Sequence, residues 1–237
     1  MLSACGPHLW AVVQAALETG MRRGEILSLQ WWQVRFKPKA EIFLPAVKTK
    51  TKADRKIPVS STLRAILELR QIGADDEPHK PEAYVFGNEA GEAVGDIKRA
   101  WQRAVLVAHG IRPQYVTRLA PGKRKTLRKV QTALLTRECQ EQLQAVDLHF
   151  HDLRREAGSR WLDGGVPLHR VQVWLGHTNI SQTSTYLRAD GADDDDAMRR
   201  FEARVQPCAT DSKTGAENDA CATTNANTNT RNSSAMH

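Results

Sequence analysis

Leu175-Gly176-His177-Thr178-Asn179-Ile180-Ser181-Gln182-Thr183-Ser184-Thr185-Tyr186 places a histidine directly behind a helix stop and a tyrosine nine positions further on. Pro167 opens and Gly176 closes a short helix, predicted over Pro167 to Leu175, and a second is expected from Ser181 to Ala189. Just upstream, His151-Asp152-Leu153-Arg154 opens a helix from Asp152 to Asp163 that Gly164-Gly165 ends, so His151 and Arg154 lie one turn apart on one face. Taken singly, His177 suits a helix cap and Tyr186 a half-buried core position.

Working back toward the N-terminus, Leu9, Val13, Ala16 and Leu17 recur at helical spacing, and Thr19-Gly20 stops that helix before a second one built around Ile26 and Leu29. The two meet near Arg22. Gln33 to Phe36, Glu41 to Leu44 and Arg55 to Val59 are β-prone pieces separated by polar or proline-bearing turns, which predicts a small antiparallel sheet. Ser60 or Ser61 can cap a helix carrying Leu63, Ile66 and Leu67. Asp96 can cap one carrying Ile97, Trp101, Ala104 and Val105. From Arg112 to Lys129 the chain is rich in Arg and Lys, and is expected to form a basic loop running into a helix from about Thr126 to Val146; a solvated surface and a DNA contact explain it equally well. A further helix from Asp194 to Val205 is possible. The Asn-, Thr-, Ser- and Ala-rich remainder, 206–237, has too little to bury and is expected to be disordered.

A length of 237 residues allows one ordinary domain with a small appendage. The net charge of +7 and a pI near 9.4 suggest a polyanionic partner. Cys5, Cys139, Cys208 and Cys221 have no paired spacing, and Cys5 with His8 is at most half of a metal site, so free thiols in a reducing compartment are expected. The apolar run from Leu9 to Leu17 lacks a basic leader and a cleavage site, and no run approaches membrane-spanning length; the cytoplasm is the expected location.

The motifs fall in the order found in tyrosine recombinases of the phage integrase family. Thr19-Gly20-Met21-Arg22-Arg23-Gly24-Glu25 resembles the first catalytic-arginine motif, with Leu29 and Trp31 in their usual places. His151-Asp152-Leu153-Arg154 is similar to the His-x-x-Arg motif, and Leu175-Gly176-His177 with Tyr186 matches the last block. The family places a lysine on the turn between the second and third strands of this small sheet. Counting back from Pro58 selects Lys50, with Lys48 and Lys52 close competitors and a solvated basic hairpin as the plain alternative. The resemblance spans about Leu9 to Leu187. It implies a mainly α-helical catalytic domain over 1–205 with a small three-stranded antiparallel sheet, interrupted in this sequence by a basic insertion at about 112–145. It also implies double-stranded DNA as partner, a 3′-phosphotyrosyl intermediate and a homotetramer on DNA, with no cofactor.

These residue types suit the chemistry. The phenol of Tyr186, with a reference pKa near 10, needs a base or a cationic setting to attack phosphorus. His151 is suited to accept its proton. Arg22 and Arg154 can grip nonbridging oxygens, with His177 as a further donor. Lys50 can protonate the departing 5′ oxygen, which an arginine cannot do. No carboxylate cluster accompanies the set, and metal-independent chemistry is expected. Three features depart from the family, the first being that the stretch from about Arg112 to Ala145 is longer than in compact members. Arg155-Glu156 stands where many relatives have His-Thr, and the sequence begins at the catalytic domain, with no N-terminal core-binding domain to complete a clamp on DNA. A non-catalytic DNA-binding remnant and a type IB topoisomerase-like activity are therefore the competing readings.

Overall fold

Leu9, Val12, Val13, Ala15 and Ala16 fall on the inner side of helix α1 (Pro7–Thr19), and each is almost wholly buried. Pro7 sits where a missing N–H costs nothing. Gly20 ends the helix at a φ of +58°, and a Cβ there would stand 2.6 Å from Leu175 Cδ2. Both the backbone angle and the close approach demand glycine. The computed structural model describes residues 1–49, 53–73, 76–121, 129–179, 181–184 and 198–199.

Helix α2 (Arg23–Leu27) leads into strands β1 (Val34–Arg35), β2 (Glu41–Leu44) and β3 (Arg55–Pro58), paired antiparallel in the order β1-β2-β3. Ile42 faces Ile57 and Leu44 faces Arg55 across the β2–β3 ladder. Ile42, Leu44 and Ile57 turn into the core that α1 also lines, as the two-residue period of a strand requires. Helix α3 (Ser61–Gln71) follows. Ser60, of the two serines, is its cap, its Oγ accepting from Leu63 N at 3.2 Å. Helix α4 (Lys98–Ala108) buries Trp101, Ala104, Val105 and Leu106, and Asp96 Oδ1 accepts from Lys98 N at 3.0 Å.

Beyond α4 the structure corrects the expectation of a basic loop running into a helix at about Thr126. Tyr115–Pro121 (β4) and Lys129–Leu135 (β5) form a two-stranded antiparallel ribbon, from Tyr115 opposite Leu135 to Pro121 opposite Lys129. Only then does α5 (Arg137–Val146) begin, with Thr136 Oγ1 accepting from Cys139 N at 3.4 Å. Val116 and Thr117 on one strand, and Val130 and Thr132 on the other, are β-branched residues that fit a pleated ladder better than a helix. Leu135 and Cys139 join Leu106 in a small second cluster at the ribbon's base.

Helices α6 (Asp152–Asp163), α7 (Leu168–Leu175) and α8 (Ser181–Ser184) complete the described elements. Trp161 and Trp174 meet edge to face at 5.3 Å and join α6 to α7. The architecture is thus mainly helical around a three-stranded sheet, as expected, with the ribbon in addition. The chain divides into two units, Met1–Arg188 and Ala189–His237. The expected continuation of α8 to Ala189, the possible helix from Asp194 to Val205 and the tail at 206–237 lie outside the described residues, Met198 and Arg199 excepted.

Candidate active site

Arg22 occupies the N-cap of α2, where the chain turns out of Gly20. Its backbone N–H donates to Glu25 Oε2 at 2.9 Å and its Nη1 to Glu25 Oε1 at 3.1 Å. A carboxylate three residues into a helix normally reaches back to the first free N–H groups. Here it also holds the guanidinium, which stays 28% exposed.

Arg154, one turn into α6, is only 2% exposed. Its Nη1 donates to the Gly20 carbonyl at 2.6 Å, and its Nη2 donates to the Leu175 carbonyl. Gly20 is the C-cap of α1, and Leu175 is the last residue of α7. Carbonyls at helix ends carry partial negative charge and lack helical partners, so a cation satisfies both needs. One side chain thereby ties three helices together. Arg22, His151 and Arg154, with Met21, His149 and Phe150, line a concavity of about 240 Å³.

His177 follows Gly176, whose φ is +67°. Its Nδ1 lies 2.9 Å from Oγ1 of the buried Thr183 on α8. Burial, then the charges of Arg154, Arg22 and Arg55 and the nearby His151, push the His177 imidazole down to about 4, so the ring is neutral at pH 7. His151 stands exposed at the start of α6. It too is lowered, by partial burial and by Arg154, Arg155 and Arg22, with Asp152 opposing. Arg22, His151, Arg154 and His177 thus share one positive field, although they come from segments far apart in the chain. Tyr186, Lys50 and its competitor Lys52 lie outside the described residues; for Lys48 only the backbone is described, at the end of a single 3-10 turn, Ala46–Lys48.

Two further groups belong to this constellation and were given no role in the sequence reading. Glu25 is buried between Arg22 and Arg55. Burial alone would raise its carboxyl, but the Arg55 charge and the hydrogen bonds from Arg22 and Arg55 outweigh that and hold it below the usual carboxylate range. Arg55, 4% exposed, donates from Nη2 to Glu25 Oε2 at 2.6 Å and from Nη1 to the Leu175 carbonyl at 2.7 Å. The strand alternation held the signal: Arg55 shares the inward side of β3 with Ile57. Cys5 and Cys139 are free thiols, and His8 is engaged with the Phe86 carbonyl at 2.9 Å. Among the described residues no group of three or more His, Cys, Asp or Glu is placed to hold a metal ion, and no helix is long and apolar enough to cross a membrane.

The sequence pattern of the phage integrase family matches residues 5–192. The shufflon-specific DNA recombinase of Escherichia coli is 27% identical over 184 residues, which cover 76% of this chain and 35% of that protein. Tyrosine recombinase XerC of Chromohalobacter salexigens is 32% identical over 124 residues, 52% of this chain and 40% of that protein. Among solved structures, the XerH site-specific recombinase in its pre-cleavage complex with difH substrate is similar with a TM-score of 0.51 at 17% identity, over 85% of this chain and 51% of that one. The last likeness is one of fold. The chain spans 35% and 40% of the length of these two curated relatives.

Proposed function

Because the chain belongs to the phage integrase family, we propose that it carries the catalytic domain of a site-specific DNA recombinase, which cuts and rejoins strands through a 3′-phosphate bond to Tyr186. The observation that supports this most is the convergence of Arg22, His151 and Arg154 on one concavity, with the charges of Arg154 and Arg22 and the nearby His151 also acting on His177. A phosphodiester gains negative charge on its nonbridging oxygens as it is attacked, and fixed donors stabilise that charge without having to reorganise.

In the proposed reaction the Tyr186 oxygen bonds to phosphorus, the bond from phosphorus to the 5′ oxygen breaks, and the phenolic proton passes to His151. His151 suits this because its lowered pKa leaves it unprotonated at neutral pH. Arg22 faces the phosphoryl oxygens from the mouth of the concavity, and Arg154 supplies charge from its wall. His177 is neutral. When its Nδ1 accepts the Thr183 hydroxyl hydrogen, its own hydrogen sits on Nε2, where it serves as a donor to a phosphoryl oxygen. Lys50, or in a shifted register Lys48 or Lys52, gives its proton to the leaving 5′ oxygen. Rejoining reverses each step, with a 5′ hydroxyl attacking the phosphotyrosine. Double-stranded DNA is the proposed substrate and a tetramer on DNA the proposed working assembly, and the unpaired thiols suit the cytoplasm.

The test is covalent capture on a pool of nicked suicide duplexes with randomised sequence around the nick. The protein should migrate as a DNA adduct on a denaturing gel, and Tyr186→Phe should abolish the adduct while leaving DNA retention intact. DNA binding without an adduct would mean a remnant that no longer cleaves, and an adduct in the Phe variant would place the nucleophile elsewhere. Lys50→Ala should be crippled on an ordinary phosphodiester and recover on a 5′-bridging phosphorothiolate, because a thiolate leaves without a proton. Arg22→Ala should not be selectively rescued. Rescue of Lys48→Ala or Lys52→Ala instead would move the register.

A further inference from the structure

Arg55 occupies an inward position of β3 where strand alternation calls for an apolar side chain, as Ile57 supplies two residues later. A buried guanidinium is costly to keep, and well-packed apolar groups usually serve stability as well or better; here Nε has no hydrogen-bond partner among the described residues, and only the two Nη atoms are met. Its partners are therefore informative. The Glu25 oxygen that Nη2 reaches, Oε2, also accepts from Arg22 N, and the other oxygen of that carboxylate holds Arg22 Nη1. The Leu175 carbonyl that Nη1 reaches also accepts from Arg154 Nη2. A Cβ at Gly176 would stand 2.6 Å from Arg55 Nη1 and 3.1 Å from its Cδ, so the residue before His177 lies flat against this side chain. Arg55 touches the group that holds Arg22 and the corner that carries His177.

We infer that Arg55 is a positioning residue: it sets Arg22 through Glu25 and His177 through the Leu175–Gly176 corner, and it does not itself meet the DNA. The inference rests on the recombinase reading for the step it serves, but its geometry is independent of that reading. Removing Arg55 leaves Glu25 paired with Arg22 and leaves the Leu175 carbonyl bonded to Arg154. No partner is orphaned, and Arg55→Met keeps much of the side chain's volume, so the variant should fold. What it loses is the link between the two halves of the site.

The test compares the full chain with Arg55→Met and Arg55→Lys in single-turnover adduct formation at saturating protein, with DNA affinity, melting temperature and the NMR titration of His177 as companions. Arg55→Met should lower the cleavage rate tenfold or more while affinity stays within about threefold, and the His177 titration should move upward, because one of the charges that hold it down is gone. Arg55→Lys keeps a charge but lacks the planar fork that spans Glu25 and Leu175. It should cleave slowly with the His177 titration nearly unmoved, which separates geometry from charge. Cleavage by Arg55→Met within twofold of the unaltered chain would overturn the inference, as would full activity of Arg55→Lys alongside an unfolded Arg55→Met. If the unaltered chain forms no adduct on any duplex, the recombinase reading fails by itself. An unmoved His177 titration in folded Arg55→Met would then still count against Arg55 as the holder of that corner.

Discussion

In the junction beneath the site, single hydrogen bonds join residues 134 and 120 positions apart, Arg154 to Gly20 and Arg55 to Leu175. In the β4–β5 ribbon, by contrast, the bonds join two strands that are neighbours in the chain. Junction geometry exists only when α1, β3, α6 and α7 are all in place, so damage there reaches both fold and chemistry. Among the described residues the ribbon meets a core cluster through Leu135, at its base. It can be altered with little consequence for the site. The difference teaches where the sequence has freedom to vary and where one side chain answers to several helices.

The largest expected effect follows from removing the central tie. Arg154→Ala strips the donors from the Gly20 carbonyl and leaves Leu175 with Arg55 alone. Hydrogen bonds from a charged group contribute roughly 1.5–3 kcal/mol each, so a loss on the order of 3–5 kcal/mol is expected in urea unfolding. Adduct formation should fall by several orders of magnitude. Unfolding unchanged within about 0.5 kcal/mol would show that the helix-end carbonyls find other donors, and that the junction is less interdependent than its bonds suggest.

A smaller effect is expected from pH. His177 titrates near 4 in the folded chain and near its ordinary value of 6.5 when unfolded. Above about 6.5 the ring is neutral in both states and nothing is lost. As pH falls from 6.5 toward 4, the unfolded chain takes up the proton first, so folding stability declines over that window. His151 adds to the decline in the same direction. Glu25, lowered from 4.5, adds its own loss only at more acid pH. Urea midpoints should stay level from pH 7.5 to about 6.5 and fall from there to pH 4.5, and His177→Gln should flatten part of that slope. An equally steep slope in that variant would assign the titration elsewhere.

How much of this was legible in the sequence follows the same division. Gly20, Gly176 and the spacing of Arg22, His151, Arg154 and His177 announce themselves, because turns and helix stops need particular residues wherever they occur. The core faces of α1, β2 and α4 follow from periodicity. Glu25 closes the first motif, but its pairing with Arg55 did not stand out, since a buried ion pair between α2 and β3 is a tertiary fact and a lone arginine on a strand resembles a surface charge. The ribbon was misread because Leu134 and Leu135 fit a helix as well as a strand, and only pairing with Tyr115–Pro121 decides between them.

The smallest expected effect on the site, and the sharpest on binding, comes from excising the ribbon. Replacing 116–134 by Asn-Gly keeps Tyr115 and Leu135, and Asn-Gly favours the tight turn required to join them. Leu135 stays available to the cluster with Leu106 and Cys139. The melting temperature should move by only a few degrees, and cleavage at saturating protein should stay within about twofold, because nothing in the junction is touched. The excised segment, however, holds six basic residues, Arg118, Lys123, Arg124, Lys125, Arg128 and Lys129, and no acidic one, against a formal excess of +7 for the whole sequence. For every phosphate that the protein no longer neutralises, the slope of log affinity against log salt becomes shallower by about 0.9, so the excised chain should bind DNA more weakly at low salt and with a visibly flatter salt dependence. A stability loss comparable to that of Arg154→Ala would make the ribbon part of the domain's framework and dissolve the contrast. An unchanged salt slope would leave the contrast standing but assign the ribbon's charge to some role other than the grip on DNA.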